Sequence, residues 1–168
     1  SYYSVRDYCA VDPCLGTMED FDAFVAEAHR LGMKVLLDWI ANHTARDARW
    51  VTEKPASWYE RDASGAPTVP WDWTDTAKLN YAEREVWRAQ GDAMEFWVRE
   101  HGVDGFRCDM AMLVPIEFWN ETAQRLRRVK PGLFMLAEAE ETYLFDGGAF
   151  DACYAWEMHH LMNDVAQQ

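Results

Sequence analysis

Three short apolar runs in the sequence each carry an acidic side chain at or near their end. Asp38 lies in LLDWIANH, Asp109 in GFRCDMA and Glu138 in MLAEAEE. Each run has the length and character of a buried strand. An unpaired charge inside a protein is costly, so these acids must lie at a rim or be satisfied by partners. Acids at the ends of successive parallel strands are how a βα barrel builds a catalytic site.

Arg107 stands two residues before Asp109, so on a strand the two side chains share one face. We predict that this guanidinium keeps Asp109 ionised and lowers its pKa. Glu138 on the next strand would feel that negative charge and keep its proton longer. Two carboxyls separated in this way are the nucleophile and acid of a retaining glycosidase, expected ~5–5.5 Å apart. His43, predicted at the end of its strand, could bind sugar hydroxyls as a neutral imidazole.

Helices and strands are predicted to alternate around these residues. Thr17 followed by Asp20 indicates a capped helix that runs to Gly32, and Pro115 fits the first turn of another. A further helix is expected over residues 83–101, and a last one from about residue 157. Strands are expected over residues 34–37, 103–110, 133–137 and 150–155. This alternation predicts an α/β fold with a parallel sheet. A complete βα barrel needs ~250 residues, so the chain has room for about half of one.

Helical and strand periodicity disappear between residues 44 and 81. This stretch is rich in proline and tryptophan. It is too long for a plain connection, since structureless loops beyond ~15 residues usually carry function. We therefore predict an insertion folded over the C-terminal end of the preceding strand. Its aromatic rings could stack on sugars or form a small core of the insertion itself.

The composition excludes several classes of partner. The chain of 168 residues carries a net charge of −13, so we expect it to bind neither nucleic acid nor anionic membranes. It holds no apolar run of ~18 residues and no visible signal peptide. Localisation stays open.

Three motifs give the sequence a specific resemblance. Residues 38–43, DWIANH, match the D-x-x-x-N-H motif of the alpha-amylase family, glycoside hydrolase family 13. Residues 105–109, GFRCD, match its G-F-R-x-D motif, and residues 136–138, LAE, match its general-acid strand. The motifs occur in the family's order and span most of the chain. The resemblance implies a partial (β/α)8 TIM barrel, roughly strands three to six, over residues 1–168. Residues 44–81 would be a short domain-B-like insertion within it.

The resemblance also assigns roles to single residues. Asp109 would be the nucleophile, and Glu138 the general acid and then the general base. Only the resemblance selects Glu138, because Glu140 and Glu141 stand beside it. The substrate-binding residues would be Tyr3, His43 and Arg107, and the supporting residues Asp38 and Asn42. Asp38 could equally serve only to brace Arg107 or the barrel rim.

The sequence departs from the family pattern at several positions. No match to the family's third catalytic Asp follows Glu138, so we expect that Asp beyond the C-terminus of this chain. Met112 and Leu113 stand where many amylases carry Lys-His. Asn42 is often a calcium ligand in the family, but the expected partner Asp is Lys78 here. A cation is a poor neighbour for calcium, so we assign no metal site and leave calcium open; we expect no required cofactor.

The resemblance implies a retaining α-glucan hydrolase that cleaves α-1,4-glucosidic bonds in oligo- or polysaccharides. An α-glucosidase or a transglycosylase of the same family would share every residue discussed above. A catalytically dead carbohydrate-binding member and a metal-dependent barrel enzyme are the alternatives from other classes. We expect the 168-residue piece alone to be inactive or nearly so, because it would lack barrel closure and the third carboxylate.

Overall fold

The computed structural model describes residues 1–167 as an α/β unit of helices and short strands. In chain order the helices are α1 (Met18–Arg30), α2 (Arg49–Glu53), α3 (Arg84–Glu100), α4 (Ile116–Val129) and α5 (Trp156–Ala166). The strands are β1 (Leu36–Trp39), β2 (His43–Ala45), β3 (Thr76–Lys78), β4 (Gly105–Cys108), β5 (Phe134–Ala137) and β6 (Ala152–Cys153).

The main sheet is parallel and has the order β1-β4-β5-β6. Asp38 on β1 stands opposite Arg107 on β4. The backbone N–H of Asp109 donates to the carbonyl of Trp39, and the N–H of Glu138 donates to that of Cys108, both at 3.0 Å. These bonds extend the ladder past the strand ends. Asp109 and Glu138 therefore emerge side by side at the carboxyl edge of the sheet.

A tightly packed core lies between the sheet and its covering helices. Phe106 and Met135 of the strands are fully buried, as are Met94 of α3 and Trp119 and Phe118 of α4. Burial of such side chains contributes roughly 1.5–3 kcal/mol each. The Trp119 indole N–H also donates to the carbonyl of Ala111 at 3.0 Å. This contact fixes the turn that follows Asp109 against α4.

Gly105 at the start of β4 meets a steric demand of the sheet. A Cβ atom at this position would collide with the backbone carbonyl of Phe134 and with the Leu36 side chain. Only glycine lets the neighbouring strands approach this closely. The glycine of the GFRCD motif therefore sets the register that aligns Arg107 with its neighbours.

The predicted helix signals agree with the structure. Thr17 and Asp20 form a reciprocal capping box at α1, and α4 begins directly after Pro115. Strands β4, β5 and β6 are shorter than predicted, and β1 lies two residues later than the strand predicted over residues 34–37. The prediction that His43 ends the first strand is wrong, because β1 stops at Trp39 and His43 begins β2. Strand β2 pairs antiparallel with β3, with His43 opposite Lys78.

The segment from β2 to residue 81 forms a small layer of its own. Trp58 and Tyr59 are buried in a cluster with Leu79 and with Val86 of α3. Trp71, in contrast, is 64% exposed. The rings of this segment thus divide between a local core and an exposed surface. Its assignment as a domain-B-like insertion stays a prediction.

The far edge of the sheet is more open than its centre. Helix α5 follows the edge strand β6 and has no buried residue. Its exposed apolar side chains are Trp156, Met158, Leu161, Met162 and Val165. Among residues 1–167, no helix combines the length and the apolar character needed to cross a membrane.

Candidate active site

Three carboxylates surround one guanidinium at the carboxyl edge of the sheet. Arg107 Nη1 lies 2.7 Å from Asp38 Oδ1 and 2.9 Å from Asp109 Oδ1. Its Nη2 lies 2.6 Å from Glu138 Oε1. The Arg107 side chain is only 15% exposed, so water screens these charges weakly. One positive charge therefore faces three negative charges, and the cluster carries excess negative charge.

The pKa of Asp109 is raised to about 6. Burial is the largest cause, and the negative charge of Glu138 is the next. Arg107 does lower this pKa, but its guanidinium is divided among three carboxylates and does not outweigh the other two effects. The prediction that the pKa of Asp109 is low is therefore wrong. At neutral pH the group is still largely ionised, because the solution lies above its pKa.

Asp109 and Glu138 behave as a pair. A hydrogen bond between the two side chains contributes to the raised pKa of Asp109. Glu138 is further held by the backbone N–H of Met110, which donates to Glu138 Oε2 at 3.1 Å. The arrangement places two carboxyl groups, one of them with a raised pKa, side by side at the carboxyl edge of the sheet.

A cavity of about 530 Å³ opens above the paired carboxyls. Its size lies within the ~300–1,000 Å³ of small-molecule sites. All three predicted substrate-binding residues, Tyr3, His43 and Arg107, line it together with Asp109 and Glu138. Its remaining lining residues are Ser1, Asp72, Trp73, Thr74, Asp75, Thr76 and Met110. The cavity thus joins strand ends of the main sheet to the segment between β2 and β3.

His43 is buried at the cavity wall, and burial lowers its pKa. The ring is therefore neutral near pH 7, as the sequence predicts. Its Nε2 lies 3.1 Å from the carbonyl oxygen of Tyr3, and its Nδ1 lies 3.2 Å from Asn42 Nδ2. Because Asn42 can donate to Nδ1, the Nε2 atom carries the hydrogen. A sugar hydroxyl that binds His43 must therefore compete with the Tyr3 carbonyl.

Two tyrosines flank the guanidinium. The Tyr3 ring centroid lies 5.8 Å from Arg107 Cζ, and that of Tyr154 lies 5.7 Å from it. Arg107 Nε also donates to the Tyr154 hydroxyl at 3.2 Å. Sequence reasoning missed Tyr154, although it follows β6 directly and the rule of polar groups at strand ends applies to it.

The neighbouring acids and Asn42 do not form a second centre. Glu140 and Glu141 are exposed and bind backbone N–H groups. Asn42 and Lys78 line a separate cavity, where the Lys78 ammonium lies 2.9 Å from Glu60. Such a fixed positive charge does not fit a calcium ion. Within residues 1–167, no group of three or more His, Cys, Asp or Glu side chains is placed to hold a metal.

A parallel sheet with intervening helices that brings two carboxyls and an arginine to its carboxyl edge defines a segment of a glycosidase-type (β/α)8 barrel. Residues 1–75 match the family model described as "Alpha amylase, catalytic domain". The chain belongs to the alpha-amylase family, glycoside hydrolase family 13. Its predicted fold, a partial (β/α)8 barrel, is confirmed by the structural neighbours described next.

Known proteins resemble the chain over most of its length. It is 34% identical to alpha-amylase MalA of Haloarcula japonica, over 89% of this chain and 23% of that protein. It is 37% identical to an alpha-1,4-glucan:maltose-1-phosphate maltosyltransferase of Arcanobacterium haemolyticum, over 77% of this chain and 19% of that protein. The crystal structure of an alpha-amylase from Lactobacillus plantarum superposes with a TM-score of 0.89 and 36% identity. The superposition covers 99% of this chain and 43% of the Lactobacillus plantarum chain. The chain thus spans less than half of each.

Proposed function

We propose that the whole protein is a retaining α-glucan hydrolase of the α-amylase type. The observation that supports this most directly is the pair Asp109 and Glu138. The two carboxyls stand on adjacent strands, share the Arg107 guanidinium and face one cavity. A retaining glycosidase needs two carboxyls in close proximity, one ionised and one protonated. Asp109 and Glu138 are the two carboxyls that we assign to these roles.

In the proposed mechanism, an ionised Asp109 oxygen attacks the anomeric carbon and forms a covalent glycosyl-enzyme. Glu138 gives its proton to the glycosidic oxygen as the bond to the leaving sugar breaks. The Glu138 carboxylate then takes a proton from water, and that water displaces Asp109 from the sugar. Both steps invert the anomeric centre, so the product retains the configuration of the substrate.

The other residues are assigned supporting roles in this proposal. Arg107 orients Asp109 and balances part of the negative charge at the site. Asp38 braces Arg107 from β1, at 2.7 Å. Tyr3 and His43 contact the sugar at the cleavage site, and Asn42 fixes the tautomer of His43. No metal or cofactor has a role in either step.

The decisive experiment is the variant Asp109→Asn in the whole protein. We expect hydrolysis of maltooligosaccharides to fall at least about a thousandfold, because the amide cannot form the covalent intermediate. Asp146→Asn, on an exposed loop, is the matched control and should keep wild-type activity. Hydrolysis by Asp109→Asn within tenfold of wild type would mean that Asp109 is not the nucleophile.

A transglycosylase or α-glucosidase is the second candidate, favoured by the 37% identity to a maltosyltransferase. In a transglycosylase a sugar hydroxyl, not water, attacks the glycosyl-enzyme. An α-glucosidase prefers maltose over long chains. Product analysis with starch and with maltose separates the three activities. Longer oligosaccharides formed from maltose would indicate transfer. Glucose from maltose, with little action on starch, would indicate a glucosidase. Binding of starch without any product would indicate a catalytically dead member.

A further inference from the structure

Met110, directly after Asp109, has an unusual backbone conformation. Its φ is 42° and its ψ is 50°, in the left-handed region. A side chain with a Cβ atom occupies this region at a cost in free energy. Within residues 1–167, Trp71 is the other non-glycine residue with a positive φ. Strain held beside an active site suggests that the conformation has a use there.

The left-handed turn changes which N–H groups reach Glu138. In a regular parallel ladder, the N–H of Glu138 donates to the carbonyl of Cys108. The carbonyl of Glu138 accepts from the N–H of Met110, two residues after Cys108. The first bond is present at 3.0 Å, but the carbonyl of Glu138 instead accepts from Ala111 at 3.3 Å. The N–H of Met110 is thereby released from the ladder. It donates to the Glu138 side chain at Oε2, at 3.1 Å.

The two oxygens of Glu138 are consequently held by different groups. Oε1 lies 2.6 Å from Arg107 Nη2, and Oε2 accepts from Met110. The charged guanidinium disfavours a proton on Oε1 more than the neutral Met110 amide does on Oε2, so the proposed mechanism places the transferable proton on Oε2. Because the Met110 N–H occupies one lone pair of Oε2, it also fixes the direction in which the remaining lone pair points.

We propose that Met110 is a positioning residue for the general acid. Its left-handed backbone releases one N–H, which orients Oε2 of Glu138 toward the oxygen of the departing sugar. This inference rests on the proposed function, since it assigns Glu138 as the proton donor. The backbone of Met110 carries the role, and its side chain only lines the cavity wall.

The proposal predicts that substitutions at this position sort by backbone preference. Asn adopts the left-handed region readily, whereas the β-branched Val strongly disfavours it. Both replacements remove the thioether, so Met110→Asn is the matched control for Met110→Val. In the whole protein, we expect Met110→Asn to keep kcat on maltoheptaose within about threefold of wild type. We expect Met110→Val to lose about tenfold or more in kcat with little change in KM.

A substrate that needs no acid separates positioning from general damage. Fluoride leaves α-maltosyl fluoride with little protonation, so a misdirected Glu138 should hardly matter for formation of the glycosyl-enzyme, the step that kcat/KM reports. We expect Met110→Val to keep kcat/KM for this fluoride within about threefold of wild type. Glu138→Gln should give the same pattern in kcat/KM, with a larger loss on maltoheptaose. Equal losses in kcat/KM on both substrates, or equal kcat on maltoheptaose for the Val and Asn variants, would overturn the proposal.

Two further outcomes are covered by the design. If Met110→Val does not fold, Met110→Ala replaces it. Ala disfavours the left-handed backbone conformation more than Asn does. Met110→Ala should therefore lose severalfold in kcat/KM on maltoheptaose and nothing in kcat/KM on the fluoride. If the wild type hydrolyses both substrates but Ala matches Asn, the Met110 proposal fails and the proposed function stands. A wild type that cleaves neither substrate overturns both.

Discussion

The two ends of β4 hold aspartates whose pKa values are shifted in opposite directions. Asp104 directly precedes the strand and Asp109 directly follows it. Their side chains are similarly buried, at 8% and 9% exposure. The pKa of Asp104 nevertheless lies well below the usual range, whereas that of Asp109 is raised to about 6. Burial alone therefore does not decide the ionisation of a carboxyl in this fold.

The difference lies in how many donors each carboxylate has. Burial would raise the pKa of Asp104, but several partners outweigh it. Oδ2 accepts from the Val35 N–H at 2.9 Å and lies 2.7 Å from His29 Nε2. Oδ1 lies 2.9 Å from Lys130 Nζ and 3.4 Å from Lys34 Nζ. One carboxylate thus has four partners, while at the other end three carboxylates share Arg107.

This contrast separates a stabilising end of the sheet from a reactive end. Asp104 connects α1 through His29, the entry to β1 through Val35 and the end of α4 through Lys130. Asp109 contacts Arg107 of its own strand, and the single positive charge of Arg107 is shared with Asp38 and Glu138. In βα barrels the amino-terminal face of the strands serves stability and the carboxyl-terminal face serves chemistry. Two acids on one strand express that division in their pKa values.

The sharpest way to break the comparison is to make the same Asp→Asn change at both ends. Asp109→Asn should lower kcat at least about a thousandfold, as argued above. Asp104→Asn should leave kcat within about twofold, because it lies at the opposite edge of the sheet from the cavity. Steady-state rates on maltoheptaose with the folded variants test this. A large loss of kcat in folded Asp104→Asn would show that the two ends are not separate.

The second effect is on stability and should fall on the other acid. We expect Asp104→Asn to lower the free energy of unfolding by about 2–3 kcal/mol, because charge-assisted hydrogen bonds to Val35 and Lys130 are weakened. Urea unfolding of the whole protein measures the change. The exposed Asp146→Asn is the control and should change stability by less than about 0.5 kcal/mol. If Asp104→Asn and Asp146→Asn have the same free energy of unfolding, the Asp104 carboxylate does not stabilise the fold.

A third, smaller effect concerns pH, and its sign differs between the two ends. The folded-state pKa of Asp104 is depressed. Its contribution to stability is therefore fully present above about pH 4, the pKa in the unfolded chain, and is lost as the pH falls through the folded-state pKa. The folded-state pKa of Asp109 is raised to about 6, so its contribution is present below about pH 4 and is lost as pH rises through 6.

Asp109→Asn should therefore be more stable than the wild type at pH 8, by about 1–2 kcal/mol after solvent screening, and the gain should shrink toward pH 4.5. Urea unfolding at both pH values measures it. A gain independent of pH would mean that the charge of Asp109 is not its cause. Loss of function with a gain in stability is the expected pattern for a site whose charges are under-compensated.

The sequence predicted what depends on local pattern and on strand order. The Thr17 capping box, the helix after Pro115 and the emergence of Asp109 and Glu138 on neighbouring strands follow from periodicity and alternation. The position of His43 did not follow, because the buried run from Ile40 to Asn42 reads as a continuation of β1. Periodicity cannot reveal where a buried run leaves its sheet.

Site energetics were harder to predict than site membership. Counting one arginine beside Asp109 predicted a low pKa, but the sign depends on how many carboxylates share that arginine and how deeply they lie. The donors of Asp104 come from three separate segments, and no spacing in the sequence connects His29 with Lys130. The left-handed turn at Met110 also carries no signal, since methionine is not a residue that favours it.

The smallest predicted effect separates the two lysines at Asp104. Lys130 is 31% exposed and also donates to the carbonyls of Gly102 and Val103, at 2.7 and 2.9 Å. Lys34 is 76% exposed and lies 3.4 Å from Asp104. We expect Lys130→Met to cost about 1–2 kcal/mol of unfolding free energy, and Lys34→Met less than about 0.5 kcal/mol.

Urea unfolding of Lys34→Met and Lys130→Met at low and high salt distinguishes the contributions of the two lysines. Salt should reduce whatever Lys34 contributes and leave the Lys130 difference nearly unchanged, because exposed charges are screened and buried ones are not. If Lys34→Met costs as much as Lys130→Met, the low pKa of Asp104 arises from summed surface charge. The contrast with Asp109 would then reflect net charge near each end of β4 rather than the number of bound donors.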